Sequence, residues 1–413
     1  MRGKLPELLS PAGNMEKFRA AVRYGADAVY ISGKMFGMRS ACDNFSREEI
    51  FEASEYAHKN GRRLYVTVNV MPRTDQYGEL AAHIDMLADA KVDAVIVSDI
   101  GVVDLVRERA PELEIHISTQ ASAVSAASCR AWHKLGASRI VLARELTLDE
   151  IRTIRENIPD TLELEAFVHG SMCISYSGRC LLSNYFTGRD ANRGNCSQPC
   201  RWNYKVKNFE IMEEKRPGTL IPVEEHPDGT FVMSSRDMCM IEHVPELIEA
   251  GIDSFKIEGR VKSAYYTAVT TNAYRIALDT YGRDGENYVF DKRLMRELES
   301  VSHREYCTGF FFGAPNEGSN TVSSDGYLRD KSYLATVLSY DENTRTAHLC
   351  QKNKLCDGDE VEIVSPGCVG RRFTVSELVG IDGERIDSTP HPGMEYTMMV
   401  PFEVRPGDIL RSV

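Results

Sequence analysis

The 413-residue sequence lacks any run of about 18 apolar residues, and its mean hydropathy is −0.32, so no membrane-spanning helix is predicted. The first residues, MRGKLPELLSPAG, contain too short an apolar stretch for a signal peptide. We therefore expect a cytoplasmic protein without a membrane partner. Because thiols are kept reduced in that compartment, the eleven cysteines are expected to be ligands, reactive thiols or core residues rather than disulfides.

Positive charge is also scarce. The 49 basic residues are outnumbered by 61 acidic ones, for a net charge of −12, which argues against a protein that coats nucleic acid but leaves room for a local basic patch. The metalloprotease motif HExxH and the nucleophile elbow GxSxG are both absent. No GxGxxG follows the first predicted strand, so nothing indicates a dinucleotide site.

What the sequence does contain is an alternation of short apolar runs with amphipathic segments of helix length. Between residues 5 and 260 we predict eight strands: Leu8–Ser10, Ala28–Ser32, Leu64–Val70, Ala94–Ser98, Glu114–Ser118, Arg139–Ala143, Leu162–Val168 and Ser254–Ile257. Helical segments such as NMEKFRAAVRYG lie between nearly all of them, and several end in glycine. This pattern favours an α/β fold of the (β/α)₈ TIM-like barrel type over an open, doubly wound sheet.

The chain is predicted to form two domains. The barrel would occupy residues 1–282, with a Cys-rich insertion at about 170–235 that begins at the C-terminal end of a strand, the face where barrel enzymes place their chemistry. A connecting segment, 283–330, includes the Gly/Ser/Asn-rich stretch NEGSNTVSSDG. From 331 to 413 short alternating runs are separated by turn dipeptides, which predicts a small all-β barrel domain.

The insertion carries four cysteines, Cys173, Cys180, Cys196 and Cys200, spaced C-x₆-C-x₁₅-C-x₃-C. Four thiols within 28 residues can hold a soft or borderline metal centre, either zinc or an iron–sulfur cluster. The spacing of six is unlike the close Cys pairs of structural zinc sites. The residues alone leave cluster, zinc and unligated thiols open, and Cys239 is a reserve ligand.

The same stretch is locally basic and aromatic. Between residues 171 and 209 the basic side chains, opposed by Asp190 alone, are Arg179, Arg189, Arg193, Arg201, Lys205 and Lys207. The aromatic residues interleaved with them are Tyr176, Tyr185, Phe186, Trp202 and Tyr204. Arginine and aromatic side chains on one loop suit an unstacked base and its phosphates. The alternative is a solvated loop whose aromatic residues pack beneath it.

Four parts of the sequence carry a family resemblance. The stretch EAFVHGSMCISYSGRCLLS, residues 165–183, resembles the signature of the collagenase-like peptidase family, peptidase family U32. The likeness extends to ELLSPAGNMEKFRAAVRYGADAVYIS near the start, to SFKIEGR at 254–260 and to the all-β tail. The resemblance is to the branch of the family that hydroxylates tRNA without oxygen, rather than to branches of a quinone pathway that lack a β tail and act as heterodimers.

That resemblance implies a 4Fe–4S cluster on Cys173, Cys180, Cys196 and Cys200, hydroxylation of the wobble uridine at C5, and prephenate as the source of the hydroxyl group. It also implies an electron donor, which the sequence does not identify, and allows a partner protein from the same family. The alternatives are a collagenase-like peptidase, with His169 as the base for Cys173 or Ser171, and a metal-stabilised RNA-binding partner without catalysis.

On this hypothesis the chemistry lies at the strand ends of the barrel. The polar residues expected near that mouth are Asn69, His116, Gln120, Arg144, Glu145, Glu165, His169, Lys256, Glu258 and Arg260. Arg144, Lys256 and Arg260 are the candidates to clamp a dicarboxylate such as prephenate. Glu165 and His169 are the candidates for proton transfer, and Arg179 and Arg201 for binding the RNA substrate. About half of the strand residues are expected to be structural.

Overall fold

The structure is a computed structural model, and it describes residues 5–38, 43–173, 175–180, 182–191, 195–201, 211–212, 220–221, 225–226, 229–230, 235–313 and 327–413. Much of the insertion, and the whole of NEGSNTVSSDG, lie outside these ranges. Within them, no helix is both long enough and apolar enough to span a bilayer.

Seven parallel strands form the first part of a barrel. They are β1 (Glu7–Pro11), β2 (Ala28–Ser32), β3 (Arg63–Val68), β4 (Ala94–Val97), β5 (Glu114–Ile117), β6 (Arg139–Val141) and β7 (Glu163–Ser171). Each pairs in parallel with the next, in sequence order. The predicted apolar runs coincide with these strands because a strand covered by helices on one side and by the barrel interior on the other is buried on both faces.

Helices between the strands cover the outside of the barrel. They are α1 (Met15–Arg23), α2 (Arg47–Lys59), α3 (Tyr77–Asp89), α4 (Ile100–Arg109), α5 (Ala126–Lys134) and α6 (Leu148–Glu156). Ser46 and Thr147 begin α2 and α6 with reciprocal hydrogen bonds to Glu49 and Glu150, which satisfy backbone N–H groups that the first helical turn leaves without partners.

The insertion follows β7. Its described elements are α7 (Leu182–Thr187), β8 (Ile211–Met212), β9 (Leu220–Ile221), β10 (Glu225–His226), β11 (Gly229–Thr230) and β12 (Asp237–Cys239). The strands β8 and β9 form one antiparallel pair and β10 and β11 another. The end of β7 projects beyond the barrel and pairs with β12, so that Asp237 lies opposite Ser171.

The barrel closes after helix α8 (Val244–Glu249), where β13 (Ser254–Ile257) pairs in parallel with both β7 and β1. This confirms the predicted eight-stranded TIM-like barrel. Between Lys256 and Ile257 the register with β7 shifts, because Phe167 lies opposite Lys256 whereas His169 lies opposite Ile257. Val168 is therefore an extra residue, a β-bulge that turns the following side chain to the other face of the strand.

Helix α9 (Ala264–Asp284) packs against α1 and is followed by α10 (Arg293–Glu299) and β14 (Tyr306–Cys307). The C-terminal domain is one antiparallel sheet of β15 (Tyr333–Asp341), β16 (Thr346–Gln351), β17 (Glu360–Val364), β18 (Arg371–Thr374), β19 (Val379–Gly380), β20 (Glu395–Met399) and β21 (Ile409–Ser412). The strand order is β18-β17-β21-β15-β16-β20-β19. The all-β domain is as predicted, and its sheet curves into a half-barrel around its own apolar core.

The half-barrel packs on the outer helices of the TIM-like barrel. Arg411, 1 % exposed, reaches across to α10 and pairs with Glu297 at 2.6 Å, while Glu362 binds the same guanidinium at 2.7 Å. The Tyr24 hydroxyl donates to the Val364 carbonyl oxygen. These contacts lie along the side of the barrel, so its C-terminal mouth is left for the insertion.

Candidate functional site

A cavity lies at the C-terminal mouth of the barrel, between the strand ends and the insertion. Its volume is about 140 Å³, whereas one water needs roughly 10–15 Å³ on the same measure, so a small organic molecule fits. Among the residues that the structure describes, four cationic side chains and one carboxylate line it, those of Arg144, Arg179, Lys256, Arg260 and Glu258. A cavity with this excess of positive charge favours an anionic ligand.

All four cysteines of the insertion line this cavity. Cys173 follows β7 and is exposed, while Cys180, Cys196 and Cys200 are half-buried. The structure thus places all four residues in the wall of one cavity at the mouth. Their segments come from both sides of α7, which explains how residues 27 positions apart share one wall.

Backbone contacts hold the first cysteine segment on the barrel. The Ser177 amide donates to Glu145 Oε1 at 2.8 Å, and Ser122 Oγ donates to the Ser177 carbonyl oxygen. Gly178 has a φ of +77°, and a β-carbon there would lie 2.2 Å from the Gln120 carbonyl oxygen. Only glycine allows both this left-handed backbone and this close approach, so Gly178 sets the path of the chain between Cys173 and Cys180.

The second cysteine segment is tied to α7. Ser197 donates its backbone N–H to Ser183 Oγ at 3.0 Å, and the two hydroxyl oxygens are 2.9 Å apart. The Gln198 amide donates to Cys196 Sγ at 3.4 Å. The two cysteine segments therefore have separate anchors, one on the barrel loops and one on α7.

Four thiols are a suitable donor set for an iron–sulfur cluster or a zinc ion. As placed, no three His, Cys, Asp or Glu side chains within the described ranges are close enough together to hold a metal ion. The donor chemistry and the shared cavity fit such a group, and ligation requires the two cysteine segments to draw together over the cavity.

The reserve ligand, Cys239, lies elsewhere. It is in β12, pairs along the backbone with His169, and is 6 % exposed. Burial raises the pKa of its thiol to about 12, so it is protonated at neutral pH, and it does not line the cavity. The structure does not bring Cys239 to the four cysteines.

The three cations predicted to bind a carboxylate meet in the cavity. Lys256, on β13, lies 4.5 Å from the ring centre of Tyr30 and 5.3 Å from that of Phe167. Arg144 stacks 3.9 Å from the same Phe167 ring and donates to the Ser171 carbonyl oxygen at 2.8 Å. Arg260, 4 % exposed, donates to the Met38 carbonyl oxygen. The rings and carbonyls fix these cations in place.

Glu165 lies beneath Lys256, in the barrel interior, and is fully buried. Lys256 Nζ donates to Glu165 Oε1 at 2.7 Å, and Arg139 Nη1 donates to Oε2 at 3.1 Å. Burial alone would raise the pKa of this carboxyl group, but the charges of Lys256 and Arg139 lower it. Glu165 is therefore ionised and paired, which suits a residue that positions Lys256 better than one that donates a proton.

His169, the other predicted proton-transfer residue, does not reach the cavity. The bulge at Val168 turns its ring outward, where it packs 5.4–5.9 Å from the ring centres of Tyr266, Tyr274 and Tyr306. Burial lowers its pKa to about 3, and within the described structure neither ring nitrogen has a hydrogen-bond partner. The same placement gives Cys173 and Ser171 no base, which removes the support for a peptidase based on His169.

The other predicted mouth residues divide as expected. Asn69, Gln120 and Glu258 line the cavity. His116 lies below it, fully buried within the barrel, and Glu145 anchors the first cysteine segment. Four further cavity residues were not predicted: Tyr30, Thr67 and Phe167, which face inward from β2, β3 and β7, and Ser118, which directly follows β5. Strand alternation was the available signal for them.

The outer rim of the mouth carries exposed rings and arginines. Tyr176 and Phe186 are 45 % and 44 % exposed. Arg179 and Arg189 are exposed beside them, and Arg189 Nε donates to Asn195 Oδ1 at 2.9 Å. Of the other basic and aromatic residues predicted here, Arg193, Trp202, Tyr204, Lys205 and Lys207, and the side chains of Tyr185 and Arg201, lie outside the described structure.

Comparison with known proteins adds three relatives. The chain is 39% identical over 409 residues to tRNA hydroxylation protein P1 of Bacillus subtilis (strain 168), covering 99% of this chain and 95% of that one. It is 35% identical to tRNA hydroxylation protein P of Escherichia coli (strain K12), covering 96% and 93%. It is 39% identical over 273 residues to the 23S rRNA 5-hydroxycytidine C2501 synthase of the same strain, covering 66% of this chain and 39% of that protein.

Family models match both domains. The model of peptidase family U32 matches residues 13–321, and the model of the peptidase family U32 C-terminal domain matches residues 329–411. The two matches together span the barrel, the insertion and the half-barrel. The chain therefore belongs to peptidase family U32 and carries the C-terminal domain of that family.

Proposed function

We propose that this protein is an RNA hydroxylase that acts on tRNA and converts the wobble uridine to 5-hydroxyuridine. The observation that carries the proposal is that four thiols, three fixed cations and an exposed rim of rings and arginines share one barrel mouth. Further support comes from the names of the relatives, two of them tRNA hydroxylation proteins and one an rRNA 5-hydroxycytidine synthase.

Cys173, Cys180, Cys196 and Cys200 would hold a 4Fe–4S cluster, with zinc as the alternative occupant. The support is the thiolate donor set and its common cavity. Replacing the hydrogen at C5 by a hydroxyl group removes two electrons from the base, so the reaction needs a two-electron acceptor, to which a bound cluster would pass those electrons. The electron donor, the independence from oxygen, the cytoplasmic location and a partner protein of the same family stay predictions from the sequence.

Prephenate would bind on the cationic side of the cavity as the hydroxyl source. It carries two carboxylates, and Lys256, Arg144 and Arg260 offer ammonium and guanidinium groups to them. Phe167, under two of these cations, offers an apolar face for the ring of the ligand. Glu165 keeps Lys256 at the floor of the cavity through the 2.7 Å ion pair.

The target base would enter from the rim. A base inside a stack is out of reach of a cavity, so an enzyme that modifies it needs it unstacked, and the anticodon loop presents single-stranded bases. Tyr176 and Phe186 can stack on neighbouring bases, while Arg179 and Arg189 can bind phosphates.

The experiment that tests the function is mass spectrometry of tRNA nucleosides from a strain in which the gene is deleted. We expect 5-hydroxyuridine and its derivatives to disappear and to return with the wild-type gene. A complementing gene with Lys256→Met should restore little of the modification, whereas His58→Phe, on the outer surface of α2, should restore all of it. An unchanged tRNA profile together with loss of 5-hydroxycytidine in rRNA would instead make rRNA the substrate, and no change in either would contradict the proposal.

A further inference from the structure

An exposed tyrosine lies beside the barrel mouth but belongs neither to a barrel strand nor to the insertion. Tyr327 precedes the first strand of the half-barrel and is 53 % exposed. The Lys262 ammonium nitrogen lies 4.5 Å from the centre of its ring. Lys262 is in the turn after β13, where its amide donates to the Gly259 carbonyl oxygen at 2.8 Å, and the same turn carries Arg260, which lines the cavity. The ring of Tyr327 is therefore next to the mouth.

Contacts within the protein hold this ring and its neighbouring cation in place. Leu328 and His303 exchange two backbone hydrogen bonds, at 2.7 and 3.0 Å, which fixes the chain directly after Tyr327. Lys262 Nζ donates to the Ser302 carbonyl oxygen at 2.9 Å. Because the ring is already held, a ligand that stacks on it has few side chains to order, and the entropic cost of binding is low.

A second cation lies on the other edge of this contact. Arg304 lies 5.8 Å from the centre of the Tyr327 ring, is 4 % exposed and pairs with Asp237 at 2.8 Å, so its charge is balanced inside the protein. Lys262 is only half-buried and brings its positive charge to the surface. An exposed ring beside a surface cation suits a nucleotide, because the base can stack on the ring and the phosphate is anionic.

Tyr176 lies on a different part of the same rim. Its segment is anchored on the loops after β5 and β6, because the neighbouring Ser177 binds Ser122 and Glu145. Tyr327 is instead beside the loop after β13. In the closed barrel β7 lies between β6 and β13, so the two rings occupy separate places around one mouth.

A base that leaves its stack to enter a cavity leaves one neighbour on each side without a stacking partner. The loss makes extrusion costly, and stacking of each neighbour on an aromatic side chain recovers part of that cost. An enzyme that takes a base from a single strand therefore benefits from one ring on each side of the cavity.

We infer that Tyr327 is a second stacking residue for RNA. It binds the nucleotide on one side of the target base, with Lys262 at the phosphate, while Tyr176 binds the nucleotide on the other side. The strand then crosses the mouth from the loops after β5 and β6 toward the half-barrel. The inference rests on the proposed function, since it takes RNA to be the ligand that enters the mouth.

The test is a double-mutant cycle between protein and RNA. Fluorescence anisotropy measures binding of the anaerobically purified full-length protein to a labelled anticodon stem-loop, in which each loop base other than the target is replaced in turn by an abasic nucleotide. Such a nucleotide keeps the phosphate and removes the stacking surface. We expect Tyr327→Ala to weaken binding of the intact stem-loop about tenfold and to have no effect at one abasic position. Tyr176→Ala should lose its effect at another position, across the target base.

Three further variants serve as controls. Tyr327→Phe keeps the ring and should bind within about threefold of wild type. Lys262→Met should lower the slope of log affinity against log salt by about 0.7, the contribution of one phosphate contact in a single strand. Phe51→Ala is the matched control, because Phe51 is also exposed and has the Arg47 guanidinium 5.8 Å from its ring centre, but lies on the outer helix α2. Its affinity should equal that of wild type.

Three outcomes would overturn the inference and leave the proposed function standing. They are equal affinity of Tyr327→Ala and wild type, loss of both tyrosine effects at the same abasic position, and a Tyr327→Ala effect that persists at every abasic position. A wild-type protein that does not bind the stem-loop would instead contradict both the inference and tRNA as the substrate.

Discussion

Lys256 and Glu165 form an ion pair inside the barrel, with 2.7 Å between the ammonium nitrogen and the carboxylate oxygen and at most 5 % of either side chain exposed. Arg139 binds the other oxygen of Glu165 and also pairs with Glu7. The cation that faces the cavity is thus the upper end of a buried network that reaches the opposite end of the barrel. Removing one charge from such a network leaves the others without compensation.

Glu165→Gln should therefore lower the free energy of unfolding by about 3–5 kcal/mol at pH 7. The pKa of Glu165 is lowered in the folded protein, so its stabilising contribution is present above the ordinary value of 4.5 and is lost as the pH falls through the lowered pKa. The free energies of unfolding of wild type and Glu165→Gln should therefore come closer together below about pH 4.5. Urea unfolding at several pH values between 7 and 3 measures this difference.

The matched control for this prediction is Glu163→Gln on the same strand, whose side chain is 42 % exposed although it also pairs with Arg139. An exposed pair contributes roughly 0–1 kcal/mol, so the free energy of unfolding of Glu163→Gln should be much closer to that of wild type. If the free energies of unfolding of Glu165→Gln and wild type differ by the same amount over the whole pH range, Glu165 is not ionised in the folded protein.

His169→Phe should leave RNA hydroxylation within about threefold of wild type, because the ring packs among tyrosines outside the cavity. Loss of a general acid or base lowers the rate about 10²–10⁴-fold. The level of modified tRNA in a complemented deletion strain therefore shows whether His169 transfers a proton or only packs among the tyrosines. Because Phe is larger than His and could overpack the site, His169→Leu is measured as a second variant.

The same histidine predicts a pH dependence. Its pKa is lowered from 6.5 to about 3 in the folded protein, so protonation favours the unfolded state, and the contribution to stability falls as the pH drops below 6.5. Between pH 6.5 and pH 5 the free energy of unfolding of wild type should fall by about 2 kcal/mol more than that of His169→Phe. A plot of the free energy of unfolding against pH that runs parallel for His169→Phe and wild type would refute the argument.

The sequence predicted the barrel, the eight strands and the all-β domain because each depends on local periodicity. It also indicated the end of the barrel at which the cysteines and cations lie, since the ends of parallel strands share one face. Their roles as cluster ligands and as a carboxylate clamp stay predictions. The position of His169 could not be predicted, because the bulge at Val168 reverses the alternation of the strand.

Cysteine substitutions separate ligands from bystanders. Cys180→Ala should purify under anaerobic conditions with little iron and without broad absorption near 400 nm, and it should fail to restore the tRNA modification. Cys239→Ala is the control, since its thiol is buried in β12 away from the cavity, and it should keep about four iron and four sulfide per chain. One zinc per chain in wild type would identify a structural zinc site. If Cys239→Ala loses iron while Cys180→Ala retains it, Cys239 is a ligand and Cys180 is not.

The rim predicts how RNA binds. Stacking on an aromatic side chain contributes about 1–3 kcal/mol per base and depends little on salt, whereas each phosphate contact in a single strand adds about 0.7 to the slope of log affinity against log salt. Tyr176 and Arg179 lie within the same short segment of the rim, yet they should respond differently to ionic strength.

Tyr176→Ala should weaken binding of an anticodon stem-loop about 10- to 100-fold with an unchanged salt slope, while Arg179→Ala should reduce the slope by about 0.7. Fluorescence anisotropy between 50 and 200 mM salt measures both, with Phe51→Ala on α2 and Arg372→Ala on β18 as exposed controls far from the mouth. Bound tRNA should also protect residues 176–207 from proteolysis. Equal effects of rim and control variants, together with unchanged cleavage, would place the RNA elsewhere on the protein.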